Sequence, residues 1–327
     1  MSATRLIWYF GGSLGLLLIV TSIGGIFTYV FRKLFADFGQ RLGPNRVGPY
    51  GVLQLVADGI KLFTKEDIVP ARAERRGFLL APYLTFIPAV LAFSPIPFGQ
   101  GLLLTDVRVG LILIFAITAL APLGELMAGW ASNNKYSMLG GLRAAAMDVS
   151  YEIPLLISAL AVILLAGSTS TAQIVEKQAH LWYFLPQLLG LFVFLVTLIG
   201  KVGVLPFDLP EAESELVTGY TTEYSGMRFA FFYLTVFANV FFIAAITVML
   251  YFGGWLGPFG LNLPGPLSFI WFFAKAGVLV FVVFWIWNSL PRVRIDQFLN
   301  INWKLLFPLS LANLVLTALL VLTGVIH

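Results

Sequence analysis

The stretch Gly200-Lys-Val-Gly-Val-Leu-Pro-Phe-Asp-Leu-Pro-Glu-Ala-Glu-Ser-Glu-Leu-Val-Thr-Gly-Tyr-Thr-Thr-Glu-Tyr-Ser-Gly-Met-Arg228 sets Asp208, Glu211, Glu213, Glu215 and Glu223 between two long apolar runs. Carboxylates in such surroundings are costly wherever lipid or packed protein strips their water, because the charged form is disfavoured and the proton is held more tightly. Pro206 and Pro210 restrict the backbone on either side of Phe207-Asp208-Leu209, so a rigid turn is expected rather than a loose tether. A short helix beginning at Pro210 would put Glu211 and Glu215 on one face and turn Glu213 away.

The flanking runs set the class. Hydrophobic residues make up 59% of the chain and charged ones 11%, with a mean hydropathy of +0.91, against roughly 45–50% apolar and about 25% charged in soluble domains. This is the composition of an integral membrane protein. The absence of cysteine excludes disulfides, thiolate metal sites and cysteine-ligated iron–sulfur clusters on this chain. His180 and His327 are the only histidines, and no acidic spacing around them makes a metal site. No glycine-rich phosphate loop or nucleophile elbow is present, so the chain by itself is not expected to bind a nucleotide. The net charge of +4 lies mostly in loops on one side and therefore reports topology, not nucleic-acid binding.

A crossing needs about 20 mostly apolar residues. Cut on that rule, the chain is expected to be an all-α polytopic membrane protein with eight spans. They run roughly from Leu6 to Phe31, Gly77 to Pro97, Val109 to Ala131, Gly140 to Leu165 and Leu181 to Val202, then a sixth and a seventh into which Gly253-Gly254, Gly257-Pro258 and Pro264-Gly265-Pro266 cut the run Phe229 to Ala274, and Leu305 to Ile326. The first run lacks a cleavage signal and reads as a retained helix. Loops 1–2, 3–4, 5–6 and 7–8 hold most of the Arg and Lys, which places them in the cytoplasm, or an organelle's inner compartment, and both termini outside. Loop 32–76 contains a run, about 52–65, whose Gln54, Asp58, Lys61 and Lys65 form a narrow polar stripe at helical spacing. An amphipathic helix lying flat at the interface is expected there. The acidic loop, about 203–228, is expected to carry short helices, the whole forming a single membrane domain over 1–327. No internal repeat is visible.

Within the spans, Glu125 follows Pro122 and Gly124, and an ionisable residue at that depth is a candidate for a proton path. Asp148 and Glu152 share one face of the fourth span, with Arg143 about a turn earlier. Together with the loop acids they would form a lateral chain of carboxylates, or else pair with Arg143, Lys201 and Arg228 in static salt bridges. Lys275 reads as a partner for one of these acids or as a proton carrier.

Six motifs in order, over nearly the whole chain, carry a resemblance. They are Arg41-Leu-Gly-Pro-Asn-Arg-Val-Gly-Pro-Tyr-Gly51; Ala57-Asp-Gly-Ile-Lys-Leu-Phe63 with Lys65-Glu-Asp67; Gly129-Trp-Ala-Ser-Asn-Asn-Lys-Tyr136; Leu142-Arg-Ala-Ala-Ala146 with Ser150-Tyr-Glu-Ile-Pro154; Pro206-Phe-Asp-Leu-Pro-Glu-Ala-Glu213 with Glu223-Tyr-Ser-Gly-Met-Arg228; and Leu290-Pro-Arg-Val-Arg-Ile-Asp-Gln297. The chain resembles the H-subunit family of bacterial respiratory complex I, whose mitochondrial counterpart is NADH dehydrogenase subunit 1. The resemblance implies a membrane component of a proton-translocating NADH:quinone oxidoreductase in the bacterial cytoplasmic membrane. Quinone would be the substrate, and FMN and iron–sulfur clusters would sit on partner subunits. Expected neighbours are the peripheral subunits carrying the terminal cluster, small membrane subunits and antiporter-like subunits.

Carried over by motif, Asp208, Glu211, Glu213 and Glu223 become chamber-side acids, and Glu125 and Glu152 an in-membrane relay. Arg32, Arg41, Asp58, Phe207 and Arg294 would line or brace the quinone chamber. Two departures stand out: Phe31 occupies the position before Arg32 that the family usually gives to Glu, and Trp287-Asn288-Ser289 replaces a stretch that usually begins with Arg. The alternatives are the homologous component of a membrane-bound hydrogenase or ferredoxin-linked complex, a self-standing proton or ion transporter, and a structural anchor whose acids are all salt-bridged.

Overall fold

A computed structural model describes residues 3–324, with side chains from residue 11 onward except at position 259. The end of the last expected span, near Ile326, and His327 lie outside the described residues. In chain order the α-helices are α1 Ala3–Phe38, α2 Gln54–Thr64, α3 Arg75–Leu91, α4 Gly110–Thr118, α5 Ala121–Ala131, α6 Lys135–Ala166, α7 Thr171–Lys177, α8 Leu188–Val202, α9 Glu213–Leu216, α10 Gly226–Tyr251, α11 Phe269–Ser289, α12 Ile295–Ile301 and α13 Phe307–Leu322. No β-strand occurs among the described residues, and the fold is all-α as the composition demands.

Among the described residues six helical runs are long and apolar enough to cross a membrane: Gly11–Phe38, Gly110–Ala131, Lys135–Ala166, Gly226–Tyr251, Gly265–Ser289 and Ile295–Leu322. The expected second and fifth spans are helical only over the 17 residues of α3 and the 15 of α8. At about 1.5 Å per residue neither reaches across a hydrocarbon layer of about 30 Å. Pro95, Pro97 and Pro186 stop the helices short. The connecting backbone is enclosed by protein instead, with Phe93, Ile96, Tyr183 and Gln187 all buried, as non-helical chain at that depth must be. The expected third span is interrupted at Ala119–Leu120 between α4 and α5, ahead of Pro122.

α10 is the central helix. It is apolar all round, and from Val240 to Tyr251 every side chain is buried, the pattern of a helix surrounded by others. α1, α3, α8 and α11 pack around it. The amphipathic α2 lies against α1 and α10, with Val56, Ile60 and Phe63 exposed. Only half of its polar stripe faces water: Lys61 and Lys65 are exposed, whereas Asp58 turns inward to Arg32.

Backbones approach closely where α5, α6 and the acidic loop meet. A side chain at Gly129 would collide with the Ser137 carbonyl and Gly141, and one at Gly140 with the backbone of Pro210 and Tyr220. Gly219, at φ +59°, sits on the Pro210 carbonyl. Small residues are what allow such contact inside a membrane bundle.

The two departures from the resembled pattern face each other. The Phe31 and Trp287 rings lie 4.2 Å apart, with Phe284 at 5.3 Å and Phe237 at 5.7 Å from Phe31. Aromatic packing thus stands where the resembled pattern implies a Glu and an Arg, and exchanging a charged pair for apolar contact is often neutral or stabilising. Phe31→Glu alone is expected to destabilise the chain by about 2 kcal/mol, below the roughly 3–5 kcal/mol for a fully buried unpaired charge. Adding Trp287→Arg should recover most of that loss in a double-mutant cycle of thermal unfolding.

Candidate functional site

The loop between α8 and α10 is a folded element. Its Leu205–Pro206 bond is cis, the Val293 N–H donates to the Pro206 carbonyl at 3.0 Å, and Phe207 packs edge-on against Phe298 of α12 at 4.9 Å. The helix does not begin at Pro210. α9 starts at Glu213 and lasts 4 residues, because the Pro210 carbonyl is pressed against Gly219 and Gly140. Glu211 and Glu215 therefore do not share a face. Glu211 turns inward to the Tyr220 hydroxyl, which donates at 2.9 Å, and Glu215 is exposed and paired with Arg143.

The remaining loop acids divide in the same way. Asp208 accepts from Arg292 Nη2 at 2.8 Å, while Arg292 Nη1 reaches Ser214 Oγ at 2.9 Å. Glu223 accepts from Asn134 Nδ2 at 2.6 Å. Glu213 is exposed on the outer face of the loop. Burial raises the Asp208 carboxyl above its ordinary value against the opposing pull of Arg292. Glu211 is pushed up to about 7, first by burial, then by the charge of Asp208 and more weakly that of Glu213, with the Tyr220 hydroxyl acting the other way.

Two small cavities continue inward from this loop. One, of about 30 Å³, is lined by Glu211, Tyr220, Glu125, Tyr151 and Lys201. The other, of about 20 Å³, is lined by Glu125, Tyr151, Lys201, Thr118, Pro122 and Asn239. Each has room for about one water, and Glu125, Tyr151 and Lys201 belong to both. Tyr151 also donates to Asp148 Oδ1 at 2.7 Å. Glu152 is one residue further along α6, where Pro154 leaves the Ser150 carbonyl without its helical partner.

Of the sequence-identified residues, the structure gathers Glu125 and Glu211 at one cavity and Asp208 next to them. Arg32 and Asp58 form their own pair on α1 and α2, with Tyr233 of α10 beside Arg32. Arg41 is exposed, its guanidinium 5.0 Å from the Phe35 ring. Phe207 is buried in packing, and Arg294 is exposed at the start of α12, where its N–H bonds Gln297. The expected acid partner of Lys275 is absent among the described residues. Its ammonium instead donates to the Phe252 and Leu256 carbonyls, at 2.7 and 2.8 Å, below the Trp182 ring. A cation there answers the unpaired carbonyls at the end of α10. Arg228 holds Asp67 at 3.1 Å, not a relay acid.

Arg292, Tyr220, Tyr151, Asn239 and Asn134 were not legible as site residues. Nothing in Leu290-Pro-Arg-Val-Arg294 ranks one arginine above the other, and it is the Val293–Pro206 hydrogen bond that lays Arg292 along the acidic loop. Among the described residues no group of three or more His, Asp and Glu side chains is arranged to hold a metal ion.

The Glu211 value carries a stability prediction. A carboxyl whose folded value exceeds its unfolded value of 4.5 favours the native state at low pH, and that advantage is lost as pH rises through about 7. Glu211→Gln should therefore be more stable than the unaltered chain at about pH 8, with the difference vanishing toward about pH 5, in thermal unfolding scans across pH.

Comparison with known proteins agrees with this architecture. A family model described as NADH dehydrogenase matches residues 12–318. The NADH-quinone oxidoreductase H subunit of Dehalococcoides mccartyi strain CBDB1 is 47% identical over 293 residues, covering 90% of this chain and 81% of the relative. The H subunit of Rhodospirillum rubrum is 46% identical over 310 residues, covering 93% and 91%, and that of Brevibacillus brevis 44% over 315, covering 96% and 94%. The chain, an integral membrane protein by its long apolar helices, belongs to the NADH dehydrogenase family that includes these H subunits of NADH-quinone oxidoreductase.

Proposed function

We propose that this chain forms the membrane part of the quinone chamber of a proton-translocating NADH:quinone oxidoreductase and couples quinone reduction to proton movement through its carboxylates. The observation that carries the reading is the line of acids from exposed Glu213, through Asp208 and Glu211, across the shared cavities to Glu125. Reduction adds negative charge to a quinone headgroup and raises its demand for protons. The loop acids answer that change, and each altered charge biases the proton occupancy of the next carboxylate, through Glu125 to Asp148 and Glu152. Glu223, held by Asn134, flanks the line. Arg32 with Asp58, Arg41, Phe207 and Arg294 shape the chamber and its entrance.

The wider arrangement follows from the same reading. The chain is one membrane domain of eight crossings in a bacterial cytoplasmic membrane, with both termini outside. All four ion pairs among the described residues lie at the end that bears the acidic loop, which supports a polar inner face. Peripheral subunits carrying the terminal iron–sulfur cluster cover that face, with FMN and the other clusters further along the same arm. Small membrane subunits and antiporter-like subunits take the protons onward.

Glu213→Gln tests this directly. Assembly and NADH oxidation by an artificial acceptor should be retained, while quinone reduction and proton pumping fall by about tenfold. Unchanged pumping removes Glu213 from the path. The isolated chain reconstituted in liposomes is expected to carry no ion flux, because the driving chemistry resides in its partners. Measurable flux would favour a self-standing transporter.

A further inference from the structure

Lys201 is held differently from the cations that meet carboxylates or cap α10. Arg32, Arg143, Arg228 and Arg292 are each committed to a carboxylate, and Lys275 to backbone carbonyls. Lys201 lies in the last turn of α8, where the helix dipole favours a cation. Its ammonium donates to Thr118 Oγ1 at 2.9 Å, and Thr118 in turn gives its own proton to the Phe115 carbonyl at 3.2 Å. Thr118 closes α4 immediately before the break in the third span, so the acceptor is fixed by backbone. An ammonium has three N–H groups. Among the described residues the other two find no protein acceptor and no carboxylate within ion-pair distance.

The cation is therefore held off the acids but among them. It lines both cavities together with Glu125, and its charge acts on Glu125 of α5 and on Asp148 and Glu152 of α6. The Tyr151 ring is 5.9 Å away, and Glu211 and Tyr220 face it across the inner cavity. A direct salt bridge would tie one acid down. A cation pinned by threonine at the junction of two cavities instead sets how much negative charge three acids carry together.

We propose that Lys201 is the positioning residue of the membrane acids: its positive charge, pinned by Thr118 at the junction of the two cavities, sets how readily Glu125, Asp148 and Glu152 carry negative charge when the charge of the neighbouring loop acids changes. The lysine does not itself pass a proton. The inference rests on the proton-coupling reading above, and its test separates the two.

The assembled complex in inverted membrane vesicles is compared with Lys201→Met, Lys201→Arg, Thr118→Val and Glu125→Gln in this chain. The readouts are artificial-acceptor NADH oxidation, which bypasses the chain and reports assembly, and protons pumped per electron delivered to quinone. Lys201→Met is expected to lower pumping per electron about tenfold, whereas Lys201→Arg, which keeps the charge and cannot give up its proton, retains most of it. Thr118→Val should fall between them, because the charge remains but is no longer pinned. Equal loss in the Met and Arg variants, or no loss in the Met variant, overturns the proposal. If Lys201→Met fails to assemble, Lys201→Gln and Thr118→Val are read in the same way. Full pumping in Glu125→Gln is a failure of the coupling reading itself, while impaired Glu125→Gln beside normal Lys201→Met removes only Lys201.

Discussion

Three backbones meet at van der Waals distance where Gly129 of α5, Gly140 and Gly141 of α6, and Gly219 of the acidic loop come together. That contact has almost no chemistry of its own, yet the candidate site depends on it. Glycines on α5 and α6 bring Glu125 to the loop side of the bundle. The press of Pro210 on Gly219 and Gly140 ends any helix before Glu213, so Glu211 enters the interior as a single inward-turning side chain. A longer side chain at Gly140 would hold the loop away and open the inner cavity to water, where carboxylates keep ordinary proton affinities and act on each other weakly.

With the loop seated, each carboxylate finds a different answer to the loss of water. Asp208 takes a guanidinium, Glu223 an amide, Glu211 a phenol, and the exposed Glu215 a half-buried arginine. Glu125 has only the cavities, with Lys201 across them. Cations at the rim are paired with carboxylates, whereas Lys201 at the centre is held by a threonine hydroxyl and, among the described residues, leaves Glu125 unpaired, so the centre responds to charge. A set of acids all locked in salt bridges would make a good anchor and a poor relay, and the observed pairing is not of that kind.

The apolar part of the inner end follows a separate logic. Phe31 and Trp287 stand against each other in a cluster with Phe237 and Phe284, while neighbouring Arg32 keeps a carboxylate by taking Asp58 from α2. Aromatic rings at both positions leave no charge without a partner in this cluster. The Arg32–Asp58 pairing ties the amphipathic α2 to α1 through its polar stripe and leaves Val56, Ile60 and Phe63 outward.

Much of this was legible in the residues. Hydropathy is local and adds along the chain, so the all-α membrane class, most span positions, the amphipathic helix and the acidic loop could be read directly, and six ordered motifs identified the family. The helix limits near Pro95 and Pro186, and the start of α9 at Glu213, were not legible, because enclosed irregular backbone and a carbonyl pressed on glycine are decided by distant segments. Partner choice was hidden for the same reason. Arg292 over Arg294, backbone carbonyls over an acid for Lys275, and the central place of Lys201 all depend on which surfaces meet. A sequence determines what each segment must bury; which groups share that burial is decided only when the segments pack, since the energy of a charge in a low-dielectric interior depends on neighbours a few ångströms away and not on neighbours along the chain.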